Sequence, residues 1–115
     1  VIAPLTHDGN GQLLNTNADT MAAETAKALA KLYDVTLMFC FEKAGVLADE
    51  NDDNSVIPTI TPAVLADIKQ RGIVSGGMLP KLDNAMDCVE AGVTEVLITR
   101  ADHIADPYSG TKICL

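Results

Sequence analysis

The 115-residue sequence predicts an α/β protein with a mainly parallel β-sheet that is covered by helices on both faces. Three observations support this fold class. Strand-like apolar runs alternate along the chain with segments of helical periodicity. Residues 35–41 form an almost continuous apolar run, as in a parallel strand that is buried on both faces. The apolar fraction is 48% and the aromatic fraction 3%, so the core is expected to be aliphatic and rich in alanine.

The first third of the chain predicts a β-hairpin, a helix and a buried strand. Residues 1–5 and 12–14 are strand-like, and the turn formers between them predict a hairpin turn that contains His7. From residue 17 to residue 33 the apolar positions recur every three to four residues, which predicts a helix capped by Asn17 or Asp19. Residues 35–41 then form a strand of the main sheet, in which Cys40 is expected to be buried and reduced.

The rest of the chain predicts two helices and two strands. Residues 42–60 have no strong period, and their acidic run at 49–54 lacks the glycine and the final glutamate of a calcium loop, so a solvated loop is preferred. Thr61-Pro62 begins a helix that runs to about residue 71, and a second helix covers about residues 78–92. Strands are expected at 94–99 and 111–114.

Composition and motif spacing exclude several classes of function. The net charge is −8 and the basic residues are scattered, which argues against nucleic-acid binding. No apolar run is long enough to span a membrane, and the three cysteines have no metal-ligand spacing, so we expect a cytoplasmic protein with reduced thiols and no metal site. A Rossmann fingerprint fails at Leu14, and a phosphate-binding loop fails at Met78, where lysine is required.

Asn15, Asn17 and Asp19 alternate just before the first helix, and in an extended chain their side chains would point the same way. The N-terminus of that helix adds unpaired N–H groups and the positive end of its dipole. This combination suits an anionic, oxygen-rich ligand. The alternative is a polar strand exit followed by an ordinary helix cap.

Lys81 lies in the first turns of a helix, where a cation opposes the helix dipole. Natural sequences break such local rules mostly at functional sites. An anion held between the N–H groups near Gly77 and the Lys81 ammonium would explain the position. The alternative is a solvent-exposed lysine with no role.

Four stretches together resemble the amino acid kinase family: Leu14-Asn15-Thr16-Asn17-Ala18-Asp19, Gly45-Val46-Leu47, Gly76-Gly77-Met78-Leu79-Pro80-Lys81 and Gly110-Thr111-Lys112-Ile113. The resemblance covers the whole chain in order, and it is strongest to members that phosphorylate an acylated glutamate. It implies a carbamate kinase-like, three-layer α/β/α sandwich with a mainly parallel sheet and a β-hairpin. Residues 1–115 would be the C-terminal, nucleotide-binding half of that domain, with the N-terminal half missing, as the lack of an initial methionine also indicates.

The resemblance implies transfer of phosphate from ATP to the side-chain carboxylate of an N-acylated glutamate in arginine biosynthesis, with Mg²⁺ bound through the nucleotide phosphates. Asn15 would contact the amino acid, with Asn17 as a weaker candidate beside it. Asp19 would order the catalytic lysines, and Lys81 would stabilise charge on the transferred phosphoryl group. The implied nucleotide-binding residues are Glu42, Lys43, Ala44, Gly45, Val46, Leu47, Ile73, Val74, Ser75, Gly77 and Met78.

Two departures from the family pattern limit these expectations. Glu42 stands where the family usually has aspartate, and the half that carries the glycine-rich segment and the other catalytic lysine is absent. We therefore expect the 115-residue chain alone not to turn over, and the full-length enzyme to be a homo-oligomer. The alternatives are a kinase acting on N-succinylglutamate or another amino acid, and a nucleotide-binding module without catalysis.

Overall fold

The computed structural model describes residues 1–74, 76–106 and 108–115, and it confirms the α/β fold class. The chain begins with a β-hairpin and then alternates between strands and helices. The elements are β1 (Leu5–His7), β2 (Leu13–Asn15), α1 (Ala18–Leu29), β3 (Thr36–Phe41), β4 (Thr59–Ile60), α2 (Pro62–Arg71), α3 (Met78–Glu90), β5 (Glu95–Arg100), a 3₁₀ turn (Ala101–His103) and β6 (Thr111–Ile113).

Within the described residues, four strands form a mixed sheet in the order β3-β5-β6-β4, and the hairpin forms a separate two-stranded sheet. The pair β3–β5 is parallel, as expected, and β4–β6 is parallel as well, whereas β5 and β6 are antiparallel. Phe41, the last residue of β3, is paired with Arg100, the last residue of β5. The segments that follow β3 and β5 therefore start at the same edge of the sheet, where ligands bind in open α/β sheets.

The core is aliphatic, as the composition predicts, and it joins all three helices to the sheet. Ile60, Val96, Ile98 and Ile113 of the sheet have no solvent-exposed surface. Alanines of α1 and the apolar face of α3 pack in the same cluster. Burial of an aliphatic side chain of this size stabilises a fold by about 1.5–3 kcal/mol, so these contacts are the main source of stability.

The helix starts follow from local sequence. The Asn17 side-chain oxygen accepts a hydrogen bond from the Thr20 N–H at 3.1 Å, so Asn17 and not Asp19 is the N-cap of α1. Thr61 caps α2 and is followed by Pro62, as expected. Helix α1 ends at Leu29, earlier than the periodicity predicts, and the following residues cover little of the core because Leu32 and Tyr33 are exposed.

Burial of β3 on both faces is the main incorrect prediction. Among the described residues β3 is an edge strand, with β5 on one side alone. Thr36 and Cys40 are exposed on one face, while Phe39 is buried on the other. The prediction of buried thiols is therefore wrong for Cys40, although Cys88 is buried, which raises the pKa of its thiol.

Two smaller differences concern short strands. The first hairpin strand lies later than expected, so His7 belongs to β1 and not to the turn. Strand β4 was not expected at all, because its two residues are specified by pairing with β6 and not by a local pattern. Among the described residues, no helix combines the length and hydropathy needed to cross a bilayer.

Candidate active site

Lys81 and Asp19 form an ion pair between the first turns of two helices. The Lys81 Nζ donates a hydrogen bond to the Asp19 Oδ2 at 2.7 Å, across 62 positions of sequence. The Lys81 side chain is 12% exposed and that of Asp19 32%, so Lys81 is not the exposed lysine of the alternative interpretation. The dipole of α1 favours the carboxylate at its N-terminus, and the carboxylate compensates for the unfavourable position of the ammonium on α3.

Two aromatic rings complete the surroundings of this ammonium. The Lys81 Nζ lies 4.8 Å from the ring centre of Phe39 and 5.9 Å from that of Phe41. Both distances fall within the range in which a ring face attracts a cation. The ammonium is therefore enclosed by side chains from α1 and β3 while its own stem comes from α3.

The three alternating polar residues do not act as one row of side chains. Asp19 lies in α1, so the extended alternation expected across residues 15, 17 and 19 is wrong. Asn15 is exposed at the end of β2, and Asn17 is exposed and engaged as the helix cap. Only Asp19 is brought into contact with Lys81, while Asn15 is left with a side chain open to solvent on the hairpin.

A cleft of about 530 Å³ lies beyond the carboxyl end of β3. It contains most of the residues that the resemblance assigns to nucleotide binding. Ala44 does not line it, and Ser75 lies outside the described residues. The lining residues are Phe41, Glu42, Lys43, Gly45, Val46, Leu47, Glu50, Asn51, Ile73, Val74, Gly77 and Met78.

Sequence reasoning missed three lining residues: Phe41, Glu50 and Asn51. Phe41 reads as part of a buried strand, although its position at the last residue of that strand could have indicated the cleft. Glu50 and Asn51 belong to the acidic loop that we expected to be merely solvated. Both are exposed, and nothing in the local sequence distinguishes them from their neighbours.

A buried hydroxyl group fixes one wall of the cleft. The Thr111 Oγ1 accepts a hydrogen bond from the Val46 N–H at 2.8 Å and donates one to the Ile57 carbonyl at 2.7 Å. A side chain at Gly45 would come within 2.8 Å of the same oxygen, so close packing requires glycine there. The hydrogen bond from Val46 to Thr111 therefore fixes the loop after β3 to β6.

The cleft combines apolar walls with one lysine, two glutamates and the start of α3. Val46, Leu47 and Val74 are aliphatic lining residues, of which Leu47 and Val74 keep a small exposed surface. At Gly77, the N-cap of α3, an added side-chain carbon would meet no atom within 4 Å, so there is space beside the start of this helix. Such a helix start binds anions, including phosphate. No cluster of three or more potential metal ligands occurs among residues 1–74, 76–106 and 108–115.

Comparison with known proteins identifies the family. Residues 1–100 match the amino acid kinase family. The chain is 61% identical to acetylglutamate kinase of Phocaeicola vulgatus over 98% of its own length, but spans only 44% of that protein.

Solved structures agree with this assignment. The match to the structure of smu.665 from Streptococcus mutans covers 98% of this chain and 41% of that chain, with a TM-score of 0.78 and 32% identity. The match to carbamate kinase from Giardia lamblia bound to AMP-PNP covers 96% of this chain and 40% of that chain, with a TM-score of 0.72. At 18% identity, this second likeness concerns the fold alone. Sequence and fold together show that the chain belongs to the amino acid kinase family.

Proposed function

We propose that this chain is the nucleotide-binding half of an ATP-dependent kinase that phosphorylates the side-chain carboxylate of N-acetylglutamate. The observation that carries the proposal is the Lys81–Asp19 ion pair, which shares Phe41 with the adjoining cleft. An enclosed ammonium beside a cleft that is lined by the start of α3 suits phosphoryl transfer, which depends on positioning and charge neutralisation. The similarity to acetylglutamate kinase of Phocaeicola vulgatus supports the choice of substrate.

In this proposal each residue has a separate task. The aliphatic walls of the cleft hold the base of ATP, and the N–H groups at the start of α3 face its phosphates. Lys81 neutralises negative charge on the phosphoryl group as it is transferred, and Asp19 keeps the ammonium in place. Asn15 binds the amino acid substrate from the hairpin, with Asn17 as a second candidate. A carboxylate is already a nucleophile and needs no general base.

Magnesium ion would enter with the nucleotide. Mg²⁺ commonly retains several waters and binds through substrate phosphates with few protein ligands. Lys43, Lys81 and the start of α3 are compatible with a phosphate chain that carries such an ion. The metal would offset phosphate charge, whereas the described residues bind and orient the nucleotide.

The decisive experiment joins this chain to the N-terminal part of the Phocaeicola vulgatus enzyme and measures ADP release with N-acetylglutamate. We expect turnover by the fusion and none by the 115-residue chain alone. Lys81→Ala and Asp19→Asn should each lower kcat/KM by at least roughly 10²-fold, because both groups act on transition-state charge. Full activity in either variant would contradict the assigned roles.

Lys69→Ala is the matched control. Lys69 also pairs with an aspartate on another helix, Asp83, but both side chains are about half exposed and neither lines the cleft. Its removal should leave kcat/KM within about twofold of the parent, since exposed ion pairs contribute little. An equal loss in Lys69→Ala would show that the assay reports stability and not chemistry.

The acyl group and the non-catalytic alternative need separate measurements. Rates of the fusion with N-acetylglutamate and N-succinylglutamate decide between the two acyl groups. A nucleotide-binding module without catalysis is the second candidate function, and binding measurements on this chain separate it from the kinase. Calorimetric titration of the 115-residue chain with MgATP should give a dissociation constant on the order of 1 mM. Tight binding together with an inactive fusion would favour the module.

A further inference from the structure

Both phenylalanines of the chain lie against the same ammonium group. The sequence contains two phenylalanines and two tyrosines, and Tyr33 and Tyr108 are exposed by 65% and 95%. Phe39 and Phe41 are two residues apart on β3, so they share one face of the strand. The chain thus uses its two phenylalanine rings at Lys81, although its core is otherwise aliphatic.

The two rings differ in position. Phe39 is 6% exposed and belongs to the core, whereas Phe41 is half-buried and also lines the cleft. Phe41 therefore contacts the space where a nucleotide would lie and the cation that would act on it. Of the two rings, Phe41 is the one that also lines the cleft.

A lysine is difficult to hold in one position because its ammonium is carried by a flexible four-carbon stem. Asp19 restrains it with one hydrogen bond, but a second carboxylate would neutralise the charge needed for a phosphoryl group. A ring face attracts the cation through its quadrupole without adding a second negative charge. Two rings and one carboxylate can therefore restrain the ammonium while the site keeps less negative charge than two carboxylates would give it.

We propose that Phe41 is a positioning residue for phosphoryl transfer, which acts with Phe39 to hold the Lys81 ammonium at the cleft. This inference rests on the proposed function for its kinetic consequence. The contact itself is a property of the 115-residue chain and is measurable without any turnover. The two parts can therefore fail separately.

The first test is NMR of the 115-residue chain with labelled lysine, assigned with Lys81→Arg. Ring currents should shift the Lys81 side-chain protons upfield from those of the other lysines, and Phe41→Leu should remove a distinct part of this shift. Tyr33→Leu, which removes an exposed ring, should change nothing. Unshifted Lys81 protons in the parent chain, or no change in Phe41→Leu, would overturn the proposal.

The second test uses the fusion enzyme. Phe41→Leu should lower kcat about tenfold, as expected for one cation–π contact, while the KM for ATP changes by less than about threefold. Phe41→Tyr, which keeps the ring, should restore most of kcat. A leucine variant as active as the parent, or a tyrosine variant as impaired as the leucine variant, would overturn the positioning role. Equal thermal midpoints of parent and variants are required to exclude a loss of folded protein.

Discussion

Two sides of the molecule differ in how completely their apolar side chains are buried. One side contains β4, β5, β6, α2 and α3, and the other contains the hairpin, α1 and β3. Strands β4, β5 and β6 pack with α2 and α3, and Ile60, Val96, Ile98 and Ile113 are fully buried. The residues before the hairpin, α1 and the start of β3 instead surround an apolar depression of about 480 Å³ that is open to solvent. Large apolar side chains are exposed in this region: Val1, Ile2, Leu5, Leu13, Leu14, Leu29, Leu32 and Tyr33.

This difference separates apolar residues that stabilise the chain from apolar residues that do not. A buried side chain contributes through removal of its surface from water, whereas an exposed one contributes little to the folded state. The candidate site joins both sides, because Asp19 comes from α1 and Lys81 from α3, which belongs to the well-packed side. The precision of the site therefore depends on the less well covered half of the chain.

The largest expected effect comes from truncating one large apolar side chain on each of the two sides. Ile98 on β5 is fully buried, whereas Leu14 on β2 is 43% exposed. Ile98→Ala should lower the free energy of unfolding by about 4 kcal/mol through lost burial and a new cavity. Leu14→Ala should lower it by less than about 0.5 kcal/mol. Urea unfolding of both variants checks this, and similar losses would mean that the hairpin side is as well packed as the sheet.

A smaller contrast comes from two glycines with the same backbone angle. Gly9 in the hairpin turn and Gly110 before β6 both have φ of 86°. A side-chain carbon at Gly9 would meet nothing within 4 Å, whereas one at Gly110 would overlap the carbonyl oxygen of Ile98.

Gly9→Ala should therefore lower the free energy of unfolding by about 1 kcal/mol, because of the backbone angle alone. Gly110→Ala should cost about 3 kcal/mol, because steric displacement of the sheet is added to the same angle. Thermal unfolding of the two variants measures the difference. Equal costs would show that β6 can move away from β5 without penalty, contrary to the tight packing described above.

Two threonine hydroxyls give the next contrast. Thr111 bonds to Val46 and Ile57 and is fully buried, whereas the half-buried Thr16 shares a 2.7 Å hydrogen bond with the Thr6 hydroxyl on the exposed hairpin. Thr111→Val should cost about 2 kcal/mol because it leaves a buried N–H and a carbonyl unpaired, and Thr111→Ser should recover most of it. Thr16→Val should cost less than about 1 kcal/mol. Chemical unfolding of the three variants provides the measurement, and a larger loss in Thr16→Val would reverse the comparison.

The smallest effect is the pH dependence of the contact between the two sides. The Cys88 thiol on α3 lies 3.7 Å from the Ala23 carbonyl of α1, and burial raises the pKa of this thiol above its ordinary value. In the unfolded chain the thiol ionises near its ordinary pKa, whereas the folded chain keeps it neutral. Ionisation therefore favours the unfolded state, and this contribution to stability is present below about pH 8 and is lost as the pH rises further.

The free energy of unfolding should therefore fall between about pH 8 and about pH 10, by at most about 1.4 kcal/mol per pH unit from this one group. Cys88→Ala serves as the control, since the raised pKa values of Lys27 and Lys112 act in the same direction and are caused mainly by Glu24 and Glu95, which that variant retains. The fall should be less steep in Cys88→Ala than in the parent. Parallel pH profiles would show that the thiol ionises equally easily in both states.

Local patterns were sufficient where the chain interacts mainly with its near neighbours. Thr61-Pro62 marks the start of α2, and the apolar spacing from Met78 marks α3, because caps and helical faces depend on residues that are only a few positions apart. Strand β4 was missed because its two residues form a strand only through pairing with the distant β6. The apolar run of β3 was read as buried on both faces, but burial depends on which elements cover a strand, and that is not a local property.

The sequence by itself determined the family, the fold class and the candidates Asp19 and Lys81, since characteristic residues recur in the family's order along the chain. The tertiary structure alone decided that these two side chains touch, that Phe39 and Phe41 enclose the ammonium, and that Thr111 anchors the cleft. The physical reason is the separation in sequence between the residues that interact. Helix caps and periodic faces depend on neighbours in sequence, whereas a site built from α1, β3 and α3 depends on how three distant segments pack.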